Sequence, residues 1–150
     1  GWQTDSTGEA GTVWEIGIST LYEAHGGLNF AGTNLNGEFE MDANVVLRSP
    51  AIDLTQVPPE IGATLQYHQI VDTDGIGDFG TVTILDATDD TILAVLDDFV
   101  SDFDLSWKSE SYSLPVEALG KTVVIEFRFQ SDNIETFTGW YIDEVALTMP

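Results

Sequence analysis

The chain has 150 residues, of which 43% are hydrophobic and spread along its whole length, so it folds around a core and is not an acidic disordered tail. Twenty-six acidic residues face only four basic ones (Arg48, Lys108, Lys121 and Arg128), giving a formal net charge of −22. This argues against nucleic acid or an anionic membrane as partner, because a phosphate-binding surface must be positive. The absence of cysteine rules out disulfides, thiolate metal sites and a cysteine nucleophile.

No apolar run approaches the ~18 residues that a membrane helix needs. No basic segment precedes an apolar one near Gly1 and Trp2, so no signal peptide is expected. The acid excess suits a salty medium, where screening limits self-repulsion, or the binding of a hard cation such as calcium.

In chain order, "TVWEIGI" (12–18) and "NVVLRSPAIDL" (44–54) are short strand candidates. "TLQYHQIV" (64–71), "GTVTILDA" (80–87), "TILAVLDD" (91–98), "TVVIEFRFQS" (122–131) and "WYIDEVALTM" (140–149) are stronger, being rich in β-branched and aromatic residues. Trp107 precedes "KSESYSL", a one-sided or edge strand, and "PVEALG" (115–120) is the one expected helical turn. Turn formers separate these runs: "AHGG" (24–27), "GTNLNG" (32–37), "VPPEIG" (57–62), "DTDGIGDFG" (72–80) and "ATDD" (87–90). Many short strands so punctuated predict an antiparallel sandwich, with residues 1–150 as one module.

Catalytic signals are weak. His25 lies in a glycine-rich loop and His68 in a strand; neither belongs to an HExxH, and there is no GxSxG. The loop "DTDGIGD" has aspartates at 72 and 74 but places Ile76 and Thr83 where an EF-hand needs oxygen ligands. It is therefore an irregular cation loop or a solvated turn. Alternation in the last strand puts Tyr141, Asp143, Val145 and Leu147 on one face, with Asp143 turned inward beside aliphatic residues. A buried carboxylate needs a partner. The candidates are Arg48 or Arg128, backbone N–H groups, or a calcium ion with Glu15 and Asp42 as further ligands. Trp107 and Trp140 each follow a turn or polar run and are the candidate stacking platform for a sugar ring.

The stretches "GTNLNG", "LRSPAIDL" and "FRFQSDN…GWYIDEV" carry a resemblance that runs from about Trp14 to Leu147. They resemble the jelly-roll accessory domains of secreted bacterial peptidases of the bacillopeptidase F and immune-inhibitor types. These are distantly similar to MAM domains and to calcium-binding carbohydrate-binding modules. The resemblance implies an all-β, antiparallel two-sheet β-sandwich of jelly-roll type, with about eight to ten strands. It implies a non-catalytic accessory binding module of a secreted or cell-surface bacterial multidomain enzyme, with polysaccharide or a neighbouring domain as partner. The alternative is an interaction or structural domain of a peptidase, adhesin or surface assembly. It also implies a structural calcium ion held by Asp143, with Asp78 of "DFGTV" matching a second feature of the family. Where relatives carry a second Asp, this chain has Glu144.

Overall fold

The computed structural model describes every residue from Gly1 to Pro150. Eleven strands run in chain order as β1 (Gln3–Ser6), β2 (Trp14–Gly17), β3 (Phe30–Thr33), β4 (Asn44–Arg48), β5 (Ile52–Asp53), β6 (Thr64–Asp72), β7 (Phe79–Asp86), β8 (Ile92–Val100), β9 (Phe103–Ser113), β10 (Thr122–Gln130) and β11 (Gly139–Thr148). The expected helical turn is a 3-10 turn at Val116–Ala118. One sheet has the order β1-β4-β10-β7-β8, with β5 also on β10; the other has the order β2-β3-β11-β6-β9. All pairings are antiparallel. Only β2–β3, β4–β5 and β7–β8 stay within one sheet. Every other connection crosses the sandwich, which is the wiring of a jelly roll. The strands beyond the expected number are short. The β1 strand is exposed throughout, and β3 is buried on both faces, so neither shows the alternation that marks a strand in sequence.

The core follows from alternation along β10. Val123, Ile125, Phe127 and Phe129 are all 0–1% exposed and point between the sheets. Phe127 meets Tyr67 at 5.3 Å and Trp140 at 5.7 Å between ring centres, and Trp140 meets Trp14 at 5.6 Å. Both buried indoles keep a partner: Trp14 Nε1 donates to the Val45 carbonyl at 3.2 Å and Trp140 Nε1 to Gln69 Oε1 at 2.9 Å. On the outer face of β10 the buried Glu126 takes both strand arginines, Arg48 Nη2 at 2.8 Å and Arg128 Nε at 3.3 Å.

A second, smaller cluster of Phe30, Leu35, Ile70 and Tyr141 lies on the outer face of the other sheet. The segment 18–29 roofs it with Tyr22 and Ala24, and Trp107 closes its side. Strand β11 supplies both clusters because it carries a bulge. Its register with β6 slips between Asp143 and Ala146, and Glu144 takes φ 54°. Before the bulge Trp140 and Ile142 face the main core and Tyr141 faces out; after it Val145 and Leu147 join the main core. The expected inward phase of Asp143 is thereby corrected. Strict alternation fails at the inserted residue, and Asp143 lies on the outer face, half-exposed.

Candidate functional site

The loop between β6 and β7 gathers carboxylates. Asp74 Oδ1 accepts the N–H groups of Ile76 at 2.9 Å, Gly77 at 3.0 Å and Asp78 at 3.0 Å, winding the loop around itself. Asp132, in the segment after β10, folds against it; a methyl group on Gly77 would lie 1.9 Å from Asp132 Oδ2. Asp74, Asp78 and Asp132 each offer one ligand oxygen, and these oxygens lie within 4.8 Å of one another. Asp78 is 0% exposed. Its Oδ1 accepts the Asp132 N–H at 3.1 Å, and its Oδ2 has no partner. Burial pushes the Asp78 carboxyl up to about 6, with the neighbouring charges of Asp74 and Asp132 adding to the rise. Burial also opposes ionisation of Asp74, but its three backbone donors outweigh this and hold it below the usual carboxylate range.

No basic side chain neutralises this cluster. Arg48 and Arg128 are committed to Glu126, and Lys108 to Asp102 at 2.7 Å and Asp104 at 3.1 Å. Lys121 lies beside Asp86, whose carboxyl is lowered first by hydrogen bonds from Thr88 and then by this charge. Three converging carboxylates, one of them buried with a free oxygen, are the donor set of a hard divalent cation such as calcium. Asp72 borders the loop at 5% exposure; its Oδ2 accepts the Thr138 N–H at 3.0 Å and hydroxyl at 2.6 Å, and its Oδ1 is unpartnered.

Of the expected metal ligands, only Asp78 contributes a side chain to this cluster. Asp42 reaches it through its backbone alone, donating its N–H to the Asp132 carbonyl at 2.9 Å. Glu15 and Asp143 are apart from it and from each other, because β3 stands between β2 and β11. Glu15 Oε1 accepts the Leu35 N–H at 3.0 Å. Asp143 Oδ2 accepts the Gly26 N–H at 3.0 Å and its Oδ1 the Glu144 N–H at 2.8 Å. Two backbone N–H groups thus partner Asp143, and both strand arginines go to Glu126 instead. Asp74 and Asp132 had weaker signals: Asp74 lay in a loop that failed the EF-hand test, and Asp132 is one of many acids in a turn.

The two expected stacking residues also part company. Trp140 is 0% exposed and packed between Trp14 and Phe127, so it offers no face to a sugar; the turn before it does not lift it out of the strand. Trp107 is half-buried, donating Nε1 to the Glu23 carbonyl at 2.9 Å and packing edge-on to Phe30 at 5.4 Å and His25 at 6.2 Å. A polar groove instead runs along the two edge strands β8 and β9. It is a cavity of about 190 Å³ lined by Gln69, Asp97, Phe99, Ser106, Lys108 and Glu110, among others. Phe99 is 47% exposed there and stacks on Phe79 at 5.4 Å.

No protein-family model matches the chain. A curated relative does align end to end: 28% identity over 152 aligned positions, covering 99% of this chain, with bacillopeptidase F of Bacillus subtilis strain 168. The chain resembles a segment of bacillopeptidase F. It spans only 10% of that protein's length. The fold has solved counterparts. The K1 cleaved adhesin domain of Lys-gingipain from Porphyromonas gingivalis W83 superposes with TM-score 0.61 at 20% identity, over 98% of this chain and 89% of that one. A cyclase from Fischerella sp. TAU gives 0.66 at 19% identity, over 100% and 84%. A structure of carbohydrate-binding modules of the β-sandwich superfamily gives 0.61 at 15% identity, over 99% and 57%. One sandwich thus serves adhesin, binding-module and cyclase proteins, and the fold alone does not choose among them. The expected resemblance to a bacterial peptidase's accessory domain and the expected sandwich are both met.

Proposed function

We propose that this chain is a non-catalytic accessory module of a secreted or cell-surface bacterial enzyme, that it folds around a calcium ion, and that it holds its enzyme on polysaccharide. The carrying observation is the match to bacillopeptidase F, which covers 99% of this chain but 10% of the peptidase, as an appended module would. The β8–β9 groove suits a sugar chain. Asp97, Ser106, Lys108 and Glu110 supply hydrogen-bonding groups to hydroxyls, and exposed Phe99 supplies an apolar face. Trp107, on the outer face of the β9 sheet and outside the groove, keeps part of its ring free for a secondary contact. A weak site of this kind works through effective concentration, since a tethered binder raises the residence of its enzyme on the polymer. The calcium ion belongs to Asp74, Asp78 and Asp132, where it supplies the counter-charge that no side chain provides.

The test is affinity electrophoresis of the purified chain through gels containing soluble polysaccharides, run in calcium. Retardation by at least one polysaccharide is expected, with Phe99→Ala reducing it and Trp107→Ala reducing it less. No retardation in any polysaccharide removes the glycan reading. A second reading then stands on exposed apolar side chains along the same edge strands: Ile92 at 64%, Val95 at 53%, Phe103 at 71% and Leu105 at 56% exposure. These fit a protein surface, either a neighbouring domain or an assembly partner.

A further inference from the structure

The chain has two histidines, 43 residues apart in sequence, and the fold stacks them on each other. The rings of His25 and His68 lie 3.7 Å apart, tilted by 15°. Both turn Nδ1 toward the same carboxylate: His25 Nδ1 is 3.0 Å from Glu144 Oε1, and His68 Nδ1 is 3.6 Å from Glu144 Oε2. The second distance is too long for a hydrogen bond, and His68 Nδ1 is shielded from solvent without any partner. We propose that His25, His68 and Glu144 form a binding site for a borderline divalent transition ion, Zn²⁺ above all, distinct from the oxygen-only calcium cluster.

The distances suit the ion, while the stacking does not: near-parallel imidazoles 3.7 Å apart point their Nδ1 lone pairs side by side, so binding must turn one ring out of the stack. Zinc binds imidazole nitrogen and carboxylate oxygen at about 2.0–2.1 Å, so two ligands of a tetrahedral site stand about 3.3 Å apart. The two nitrogen–oxygen separations, 3.0 and 3.6 Å, bracket that edge. All three ligand atoms fall within 4.8 Å of one another. Two imidazoles and one carboxylate form a mixed nitrogen–oxygen set that favours zinc over calcium or magnesium. The side chains are 39%, 26% and 41% exposed, which leaves a corner open to water.

Several parts of the fold converge on this arrangement. The bulge in β11 holds Glu144 at φ 54° and aims its side chain back over the sheet. Gly26 makes room for it: a methyl group there would lie 1.9 Å from Glu144 Oε1. Asp143 pins both sides of the site, accepting the N–H of Gly26 from the roofing segment and that of Glu144 from the bulge. Asp143 is thus a positioning residue rather than a ligand.

The test uses the metal-free chain without a histidine tag, with calcium in excess so that acidic sites are filled. Zinc is titrated calorimetrically, and cobalt(II) is added separately to read coordination from its visible spectrum. One saturable equivalent is expected, with a four-coordinate cobalt band. His25→Ala and Glu144→Gln should each weaken zinc about tenfold or more. In the unmodified chain, nitrogen-15 spectra of the imidazoles should show both histidines shifting together at one equivalent, a reading that needs no variant to fold. Equal zinc affinity in His25→Ala/His68→Ala, or imidazole signals that do not move at one equivalent, overturns the proposal and assigns the binding to surface carboxylates.

Discussion

In the absence of a cation the Asp78 carboxyl titrates near 6, raised from 3.8 chiefly by its burial. A raised carboxyl contributes stability below its unfolded value, and that contribution is lost as pH rises through the folded one. The chelated protein should therefore lose stability through this group between about pH 4 and pH 6. Asp78→Asn removes the charge, so in chelator near neutral pH it should melt higher than the parent. The gap should close near pH 4, and calcium should reverse the order. Melting curves of both proteins with calcium and with chelator read all of this; an unchanged order in calcium rejects the cluster as an ion site. Asp143 behaves differently. Asp143→Ala breaks two hydrogen bonds to backbone, at Gly26 and Glu144, and should cost about 1–2 kcal/mol. That cost should be the same in calcium and in chelator, measured by urea unfolding, because no ion is lost.

At the scale of elements, close packing between strands makes sharper demands than the strands' own composition. Gly32 of β3 lies under Tyr141, and a methyl group there would sit 2.4 Å from the ring carbon Cδ1 and 2.9 Å from Leu35 Cδ2. Gly32→Ala should cost about 1–3 kcal/mol by forcing the outer cluster apart. Gly37→Ala, where nothing lies within 4 Å, should stay within about 0.5 kcal/mol. Urea midpoints of the two variants check the pair. Elements also mark the limit of what could be read in advance. The stretch "TVVIEFRFQS", which folds as β10, was legible as a strand from its β-branched and aromatic residues. The last strand was legible as a strand but not in phase, since a one-residue bulge reverses every later side chain and has no signature in "YIDEVAL". The error over Asp143 came from that single inserted residue. The histidine pair was invisible for a related reason: His25 and His68 meet only because the segment 18–29 folds back over β6, and no spacing rule links them.

For the whole molecule, the sandwich was legible because periodicity, turn punctuation and the stretches "GTNLNG" and "FRFQSDN…GWYIDEV" all agreed. The order of strands was not, and without it the carboxylates could not be sorted into sites. A net charge of −22 then sets the solution behaviour. Self-repulsion over that many unpaired acids weakens the compact state at low ionic strength, where screening reaches about 30 Å, and fades as the length falls to about 3 Å in molar salt. The melting temperature should climb steadily with sodium chloride in chelator, and less steeply once calcium is present.

The same scarcity of basic residues bears on proteolysis. An endopeptidase that cuts after lysine or arginine has four targets in this chain. Arg48, Lys108 and Arg128 belong to β4, β9 and β10, where the backbone is tied into sheets and cannot enter a protease cleft in extended form. Lys121 alone lies between elements, and its carbonyl is held by the Leu54 N–H at 2.9 Å. The folded chain is thus almost blank to an endopeptidase of that specificity, and its digestion by such an enzyme reports the lifetime of the fold itself.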